Sequence, residues 1–388
     1  MTRRGKGEGN IRQRKDGRWE ATITVGYTAN GNPKRISVYG RTREEAAKKH
    51  FQMGAKYGKG LLKAPDKVTF AEYIASWLEM KEAERKPTTM AGYRTSTAHI
   101  VKHLGRVRLQ SLTAAQIQNT YSQLRKPEKL PDGKIKPGLE NGVHHVHRVL
   151  RAALNDAVKM DLLATSPLAK LKAPSTKRVE SRVWTDDEAV IFLEHAGGHR
   201  WFALFWLALS TGMRRGELLG LRWEDIDLEK KLLNIKRNLT TVSGTRVILD
   251  PKTHRSTRPI SLSAEDVKTL EDHLAGQEAE RELSEIWQED GWVFCTGIGT
   301  TLSPANLSRA FKGILKAAKV PDIRFHDLRH SSASLAASEG VEAKVLSERL
   351  GHATVGFTQN VYQHSYKKQH EQAANTMGAL LKRKEKAA

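Results

Sequence analysis

The chain has 388 residues, with 65 Lys+Arg against 43 Asp+Glu and a formal net charge of +22, a length that divides into two or three domains and a balance that points to a polyanion or an anionic surface. A 39% hydrophobic share and eight Trp exclude a disordered basic tail, and the longest apolar run, Trp201 to Leu209, has nine residues, against the roughly 20 of a membrane span. No apolar stretch follows the opening charges as a secretory signal requires, and the single cysteine, Cys295, excludes an intrachain disulfide and a Cys-rich zinc site.

The charge is uneven. Residues 1–63 carry a net +11, residues 64–177 a net +9 and residues 178–388 only +2. The electrostatic grip on a polyanion therefore lies in the first half, and phosphate chemistry in the second half must come from a few placed residues. These three stretches are taken as three domains.

In residues 1–63, a flexible Gly/Arg/Lys start precedes an alternating strand pattern over Gly17 to Val25. Asn30-Gly31-Asn32-Pro33 marks a turn, Lys34 to Tyr39 resumes a strand, and Thr42-Arg43-Glu44-Glu45 opens a helix as a capping box. The sum is a small sheet backed by a helix, and residues 58–67 read as a linker. From Thr69 the period becomes helical: Phe70, Tyr73, Ile74, Trp77 and Leu78 share one face. Thr113 to Gln116 is a second capping box, Lys126 to Gly138 reads as a loop, and Val143, Val146, Val149, Leu150, Ala153, Leu154 and Ala157 form a long stripe. The stripes are core. The basic residues between them, such as Arg94, Arg148 and Arg151, are the candidates for DNA.

The third piece begins near Arg178. Thr185-Asp186-Asp187-Glu188 caps a helix, Trp201 to Leu209 is a buried helix, and Thr211-Gly212-Met213 breaks it before Arg214 starts another. Strands are expected at Leu232–Ile235, Arg246–Leu249 and Ser256–Ser261, helices at 264–287 and 304–318, and short helices beyond Pro321.

Dense polar motifs sit in this nearly neutral piece. Arg214 and Arg215 open a helix, where cations oppose the dipole. Either they stay solvated, or Glu217 pairs with Arg214, or they gather a phosphate together with the N–H groups there. Lys252, at the tip between two strand-like runs, is either solvated or a mobile donor into a site. His326, Arg329 and His330 share a helical face. Their spacing is not that of a zinc motif, because the intervening residues are Asp, Leu and Arg and no third ligand is near. His352 ends a helix, and Tyr362 follows ten residues later. No carboxylate cluster for Mg²⁺ and no Gly-rich phosphate loop accompanies them. A cationic set with one hydroxyl nucleophile suits metal-free attack on a phosphodiester.

These motifs resemble the tyrosine recombinase (phage integrase) family. The match rests on Thr-Gly-Met-Arg-Arg-Gly-Glu-Leu from Thr211, the Lys252-Thr253 hairpin, His-Asp-Leu-Arg-His from His326, Leu-Gly-His ending at His352, and Val-Tyr-Gln-His around Tyr362. It covers residues 180–375 as a catalytic domain and, by pattern, residues 68–170 as a helical core-binding domain. Residues 9–55 resemble an arm-type DNA-binding domain, with Arg14, Lys15, Arg18 and Trp19 as its candidate DNA contacts. The expected fold is multidomain α+β and predominantly helical: a three-stranded sheet plus helix, a helical domain, then a mixed α/β catalytic domain. The resemblance implies that Arg214 and Arg329 bind the scissile phosphate and that Glu217 supports Arg214. It makes Lys252 the donor to the 5′-hydroxyl leaving group, gives His326 and His352 hydrogen bonds to the phosphate, and makes Tyr362 the nucleophile. Many members have nine residues where this chain has ten before the tyrosine, which leaves Tyr366 as a substitute. No metal or cofactor is expected. The expected partners are core-type and arm-type sites on double-stranded DNA, other copies in a tetramer that exchanges C-terminal segments (here residues 367–386), and a DNA-bending accessory protein, but no membrane; the expected place is the bacterial cytoplasm, at the nucleoid. A type IB topoisomerase would not need residues 9–55, and a silent DNA-binding regulator would not need Tyr362.

Overall fold

The computed structural model describes residues 10–27, 32–58, 68–129, 131–176, 182–250, 257–351 and 374–381. They fall in two compact units, Met1–Arg178 and Val179–Ala388.

The first unit begins with a three-stranded antiparallel sheet, β1 (Asn10–Gln13), β2 (Trp19–Tyr27) and β3 (Pro33–Gly40), in the order β1-β2-β3. The alternation from Gly17 identifies β2, though its strand starts two residues later, because Arg14–Arg18 is spent on a turn in which Gly17 takes φ +82°. The short β1 escapes a pattern reading because Ile11 is its only apolar residue. Helix α1 (Arg43–Gly58) packs on β2 and β3. The approach is so close that a Cβ on Gly40 would lie 2.5 Å from the Ala46 nitrogen. The cap of α1 is only partly the expected box. Thr42 Oγ1 accepts from the Glu45 N–H, but the Glu45 carboxylate takes the N–H of Arg41 instead of that of Thr42.

The helical part comprises α2 (Phe70–Glu82), α3 (Pro87–Leu104), α4 (Ala114–Leu124), a two-residue ladder of β4 (Glu128–Lys129) and β5 (Ile135–Lys136), and α5 (Gly142–Lys159). The ladder corrects the expectation of a plain loop over Lys126–Gly138: Glu128 pairs with Lys136 and Lys129 with Ile135. The expected apolar stripes of α2 and α5 form one buried cluster. Its polar atoms are satisfied: Tyr73 donates to the Ala153 carbonyl, Trp77 Nε1 donates to Asp156 at 3.0 Å, and Tyr121 bonds His147 at 3.1 Å. Burying the Trp77 ring is therefore not charged with an orphaned N–H.

The second unit opens with α6 (Asp186–Ala196), whose Thr185/Glu188 capping box forms as its sequence requires. Then come α7 (Phe202–Thr211), the short α8 (Arg215–Leu219), β6 (Ile226–Asp227), β7 (Leu232–Ile235), β8 (Asn238–Val242), β9 (Thr245–Leu249) and β10 (Arg258–Ser261). Strands β10-β7-β6 make one antiparallel sheet, and β8-β9 is a separate hairpin. Helices α9 (Ala264–Glu282), α10 (Pro304–Ala318), α11 (Asp327–Ser338) and α12 (Ala343–Leu350) complete it, and residues 374–381 are helical. Helix α9 ends five residues before the expected 287; from Leu283 to Trp287 the chain exposes Leu283 and Ile286, so no buried face sustains the helix. The core is built on α7, apolar on every side, with Phe192, Phe205, Phe311 and Phe325 in mutual edge or tilted contact. No helix among the described residues is long and apolar enough to cross a membrane.

Candidate active site

Helix α7 stops at Gly212, which takes φ +65°. A side chain there would be strained by that φ, and its Cβ would lie 2.4 Å from Leu350 Cδ2. This close crossing brings the Thr211–Glu217 motif against the end of α12. Arg214, the N-cap of α8, then makes three hydrogen bonds to two neighbours. Its Nη1 donates to Glu217 Oε1 at 2.7 Å, its backbone N–H donates to Glu217 Oε2 at 2.9 Å, and its Nη2 donates to the Gly351 carbonyl at 3.0 Å. The pairing with Glu217, one of the readings open to Arg214, is formed.

Arg329 comes from α11 and meets the same place. It is 4% exposed, and it donates from Nη1 to the Gly212 carbonyl at 2.7 Å and from Nη2 to the Leu350 carbonyl. Burial, then the neighbouring Arg214 guanidinium, lower its pKa to about 9. It makes no ion pair among the described residues, so it is a desolvated cation whose charge an anion would satisfy.

His326 is the N-cap of α11, and its side chain takes no part in capping. Burial, His330 and the charges of Arg329 and Arg214 hold it below the ordinary histidine value, so near neutrality it is an uncharged hydrogen-bonding group. Its ring lies edge-on to His330 at 5.5 Å. Asp327 is occupied by Arg324, which grips both its oxygens at 2.8 and 2.9 Å, so it anchors the start of α11 and is not available to a metal. No group of three or more His, Cys, Asp or Glu that could hold a metal occurs among the described residues.

The structure thus brings together Arg214, Glu217, Arg329 and His326. Lys252, His352, Tyr362 and Tyr366 lie outside the described residues, as does most of the tail at 367–386. The described chain reaches Gly351 against the arginines, one residue before His352. In the first unit, Arg14 and Arg18 set their guanidiniums over the Tyr39 ring at 5.4 and 5.8 Å, with Lys15 exposed between them and Trp19 half-buried at the start of β2. Arg94 is exposed on α3 and paired with Glu82, whereas Arg148 and Arg151 are exposed on α5, away from its buried stripe.

Sequence reasoning missed Arg258 and Arg349. Arg258, 7% exposed, forks its Nη1 and Nη2 onto the two oxygens of Glu217 at 3.3 and 3.1 Å. Arg349 donates to the carbonyls of Ser261 and Ser210. The signal for Arg258 was present: strand alternation puts it on the buried face with Ile260, and a buried cation needs a counter-charge or a set of acceptors to hold it.

Glu217 is therefore a carboxylate between two guanidiniums. Burial alone would raise its pKa, but Arg258 and Arg214 outweigh that and hold it below 4.5. A depressed folded-state pKa adds stability that is complete above the unfolded value and lost as pH falls through the folded one. Glu217→Gln should destabilise the protein at pH 7 by on the order of 3 kcal/mol, since the buried Arg258 and the partly exposed Arg214 lose their counter-charge. Thermal melting at descending pH should show the gap between wild type and variant closing below pH 4.5; a gap that stays constant would contradict this assignment.

The chain is similar to known proteins over most of its length. The profile described as "Phage integrase family" matches residues 185–369, and that of "Phage integrase, N-terminal SAM-like domain" matches residues 69–125. The chain is 33% identical over 385 residues to a "Tyrosine recombinase XerC-like" protein of Caldanaerobacter subterraneus subsp. tengcongensis, covering 94% of this chain and 96% of that protein. It is 29% identical to a putative prophage phiRv2 integrase of Mycobacterium tuberculosis, over 99% and 100% of the two chains. In fold it is similar to the Tn1549 transposon integrase in complex with a circular intermediate DNA, with a TM-score of 0.64 at 17% identity over 79% of this chain and 99% of that one. It is also similar to a lambda integrase dimer bound to a COC′ core site, with a TM-score of 0.56 at 19% identity over 93% and 96%.

Proposed function

The chain belongs to the tyrosine recombinase (phage integrase) family, and we propose that it cleaves and rejoins DNA through a 3′-phosphotyrosyl intermediate to integrate or excise a phage or other mobile element. The observation that carries this reading is the meeting of Arg214 and Arg329 at the end of α12, with Arg329 buried and making no ion pair among the described residues.

The scissile phosphate occupies the place where the two guanidiniums have donors to spare. As the Tyr362 oxygen attacks phosphorus, charge builds on the non-bridging oxygens, and preorganised donors in a dry site stabilise it most. Glu217 does not compete for the phosphate; it fixes the plane of Arg214. Lys252 gives a proton to the departing 5′-oxygen. His326, kept neutral, hydrogen-bonds a phosphate oxygen, as does His352, and the two histidines help move the proton that the Tyr362 hydroxyl gives up. Attack by the 5′-hydroxyl of the partner strand then reverses the chemistry and releases the tyrosine. The bond energy is stored in the protein–DNA link.

Residues 64–177 hold the core-type site, with Arg148 and Arg151 on the exposed face of α5 and Arg94 on α3 as phosphate contacts. Residues 1–63 hold the arm-type site through Arg14, Lys15, Arg18 and Trp19 near the β1–β2 turn. The active assembly is a tetramer on DNA that trades residues 367–386 between copies, with a DNA-bending protein as helper, at the nucleoid of a bacterial cell.

The test is recombination in vitro between two DNA fragments carrying the junctions of the element. Joint molecules with a covalent protein–DNA intermediate are expected. Relaxation of supercoiled DNA irrespective of sequence would favour a topoisomerase, and binding without covalent attachment would favour a regulator. A version lacking residues 1–63 should still cleave short core sites, with a Kd for arm DNA weakened steeply and a shallower salt dependence, because a net +11 has been removed. Integration by that version at the wild-type rate would contradict the arm assignment.

A further inference from the structure

Three consecutive carbonyls at the C-terminus of α12 each accept from a different arginine. Arg349 O takes Arg258 Nε at 2.6 Å, Leu350 O takes Arg329 Nη2, and Gly351 O takes Arg214 Nη2 at 3.0 Å. Two of these arginines are the phosphate ligands proposed above. The third, Arg258, is buried, with both Nη groups on Glu217 and its Nε on the Arg349 carbonyl. We propose that Arg258 is a positioning residue for strand cleavage, which aims Arg214 through Glu217 and sets the end of α12 through the Arg349 carbonyl. This inference rests on the recombinase reading.

The geometry explains what only an arginine does at this position. The Arg258 fork meets both Glu217 oxygens, so the carboxylate cannot rotate about its terminal bond. One oxygen is then presented to Arg214 Nη1 and the other to the Arg214 N–H. Without the fork, Glu217 is free to grip the Arg214 guanidinium with both oxygens and draw it off the phosphate. The third donor, Nε, ties β10 to α12, and α12 ties back: Arg349 donates to Ser261 at the end of β10 and to Ser210 on α7. This reciprocal latch fixes where the chain leaves α12, and the residue that leaves is His352. Lysine at 258 would keep the charge but lose the fork.

The test uses full-length protein and a nicked suicide duplex carrying the element's own junction, made with either a phosphodiester or a neutral methylphosphonate at the scissile position. Single-turnover formation of covalent complex is measured for wild type, Arg258→Met and Arg258→Lys, and duplex affinity is measured for each in a Tyr362→Phe background. On the phosphodiester, Arg258→Met should be slower by on the order of 100-fold with affinity nearly unchanged, and Arg258→Lys should lie between it and wild type. On the methylphosphonate, where one anionic oxygen is gone, the gap between wild type and Arg258→Met should shrink to below about ten-fold. A general loss of folding would slow both substrates equally. A wild-type rate in Arg258→Met, or equal slowing on both substrates, would overturn the proposal. If Arg258→Met does not fold by circular dichroism, the two-substrate comparison is read on Arg258→Lys with the same criteria. Failure of wild type to attach to either substrate would strike the recombinase reading instead.

Discussion

Replacing Arg329 by alanine is expected to slow covalent attachment to DNA by roughly 10³-fold or more, the scale seen when a desolvated cation or donor is removed from a developing oxyanion. The expectation follows from where the guanidinium sits. It is buried, its two resolved bonds go to backbone carbonyls, and burial with the nearby Arg214 charge brings its pKa to about 9, so it stays cationic at neutral pH. A charge in a dry site acts on a phosphate far more strongly than one on the surface. Arg329→Lys should recover little, because a point charge cannot meet the Gly212 and Leu350 carbonyls and a phosphate together. Those two bonds also pin α7 to α12, so melting temperature must be followed alongside single-turnover rate. A variant that melts like wild type and cleaves within about ten-fold of it would refute a phosphate role for Arg329.

The second large effect is complete. Tyr362→Phe removes one oxygen and should abolish covalent complex and recombination, while duplex affinity changes by less than about three-fold. The backbone of residues 352–373 lies outside the described residues, so this expectation stands on the family motif and on the Gly351 carbonyl held by Arg214. Surviving covalent complex would hand the nucleophile to Tyr366.

What could be read from the sequence was local. The Thr113/Gln116 and Thr185/Glu188 boxes form as expected because each needs only residues three apart. The stripes of α2 and α5 are buried because an amphipathic period leaves no other way to hide them. Arg214 and Glu217 are also three apart, so their pairing was among the readings available. The rest of the site is made of bonds to backbone carbonyls over long sequence separations: Arg329 to Gly212, Arg258 to Arg349, Arg349 to Ser210. A carbonyl acceptor leaves no mark on residue identity, so nothing in the sequence names it. Arg258 was half legible, by alternation in β10, but its partner Glu217 lies 41 residues away. The Thr42 box formed only in half: Thr42 Oγ1 takes the Glu45 N–H, but Arg41 offers an N–H that takes the Glu45 carboxylate in place of that of Thr42.

The central claim is that a tyrosine on this chain becomes joined to the 3′ end of cut DNA beside the Arg214–Arg329 pair. It is tested most directly by trapping wild-type protein on the nicked suicide duplex, digesting it with protease and sequencing the DNA-linked peptide by mass spectrometry. The account predicts one modified peptide, with the phosphate of the 3′ end on Tyr362 and a free 5′-hydroxyl on the released strand. A link to a 5′ phosphate, a link to any residue other than tyrosine, or cleavage with no link at all would contradict it.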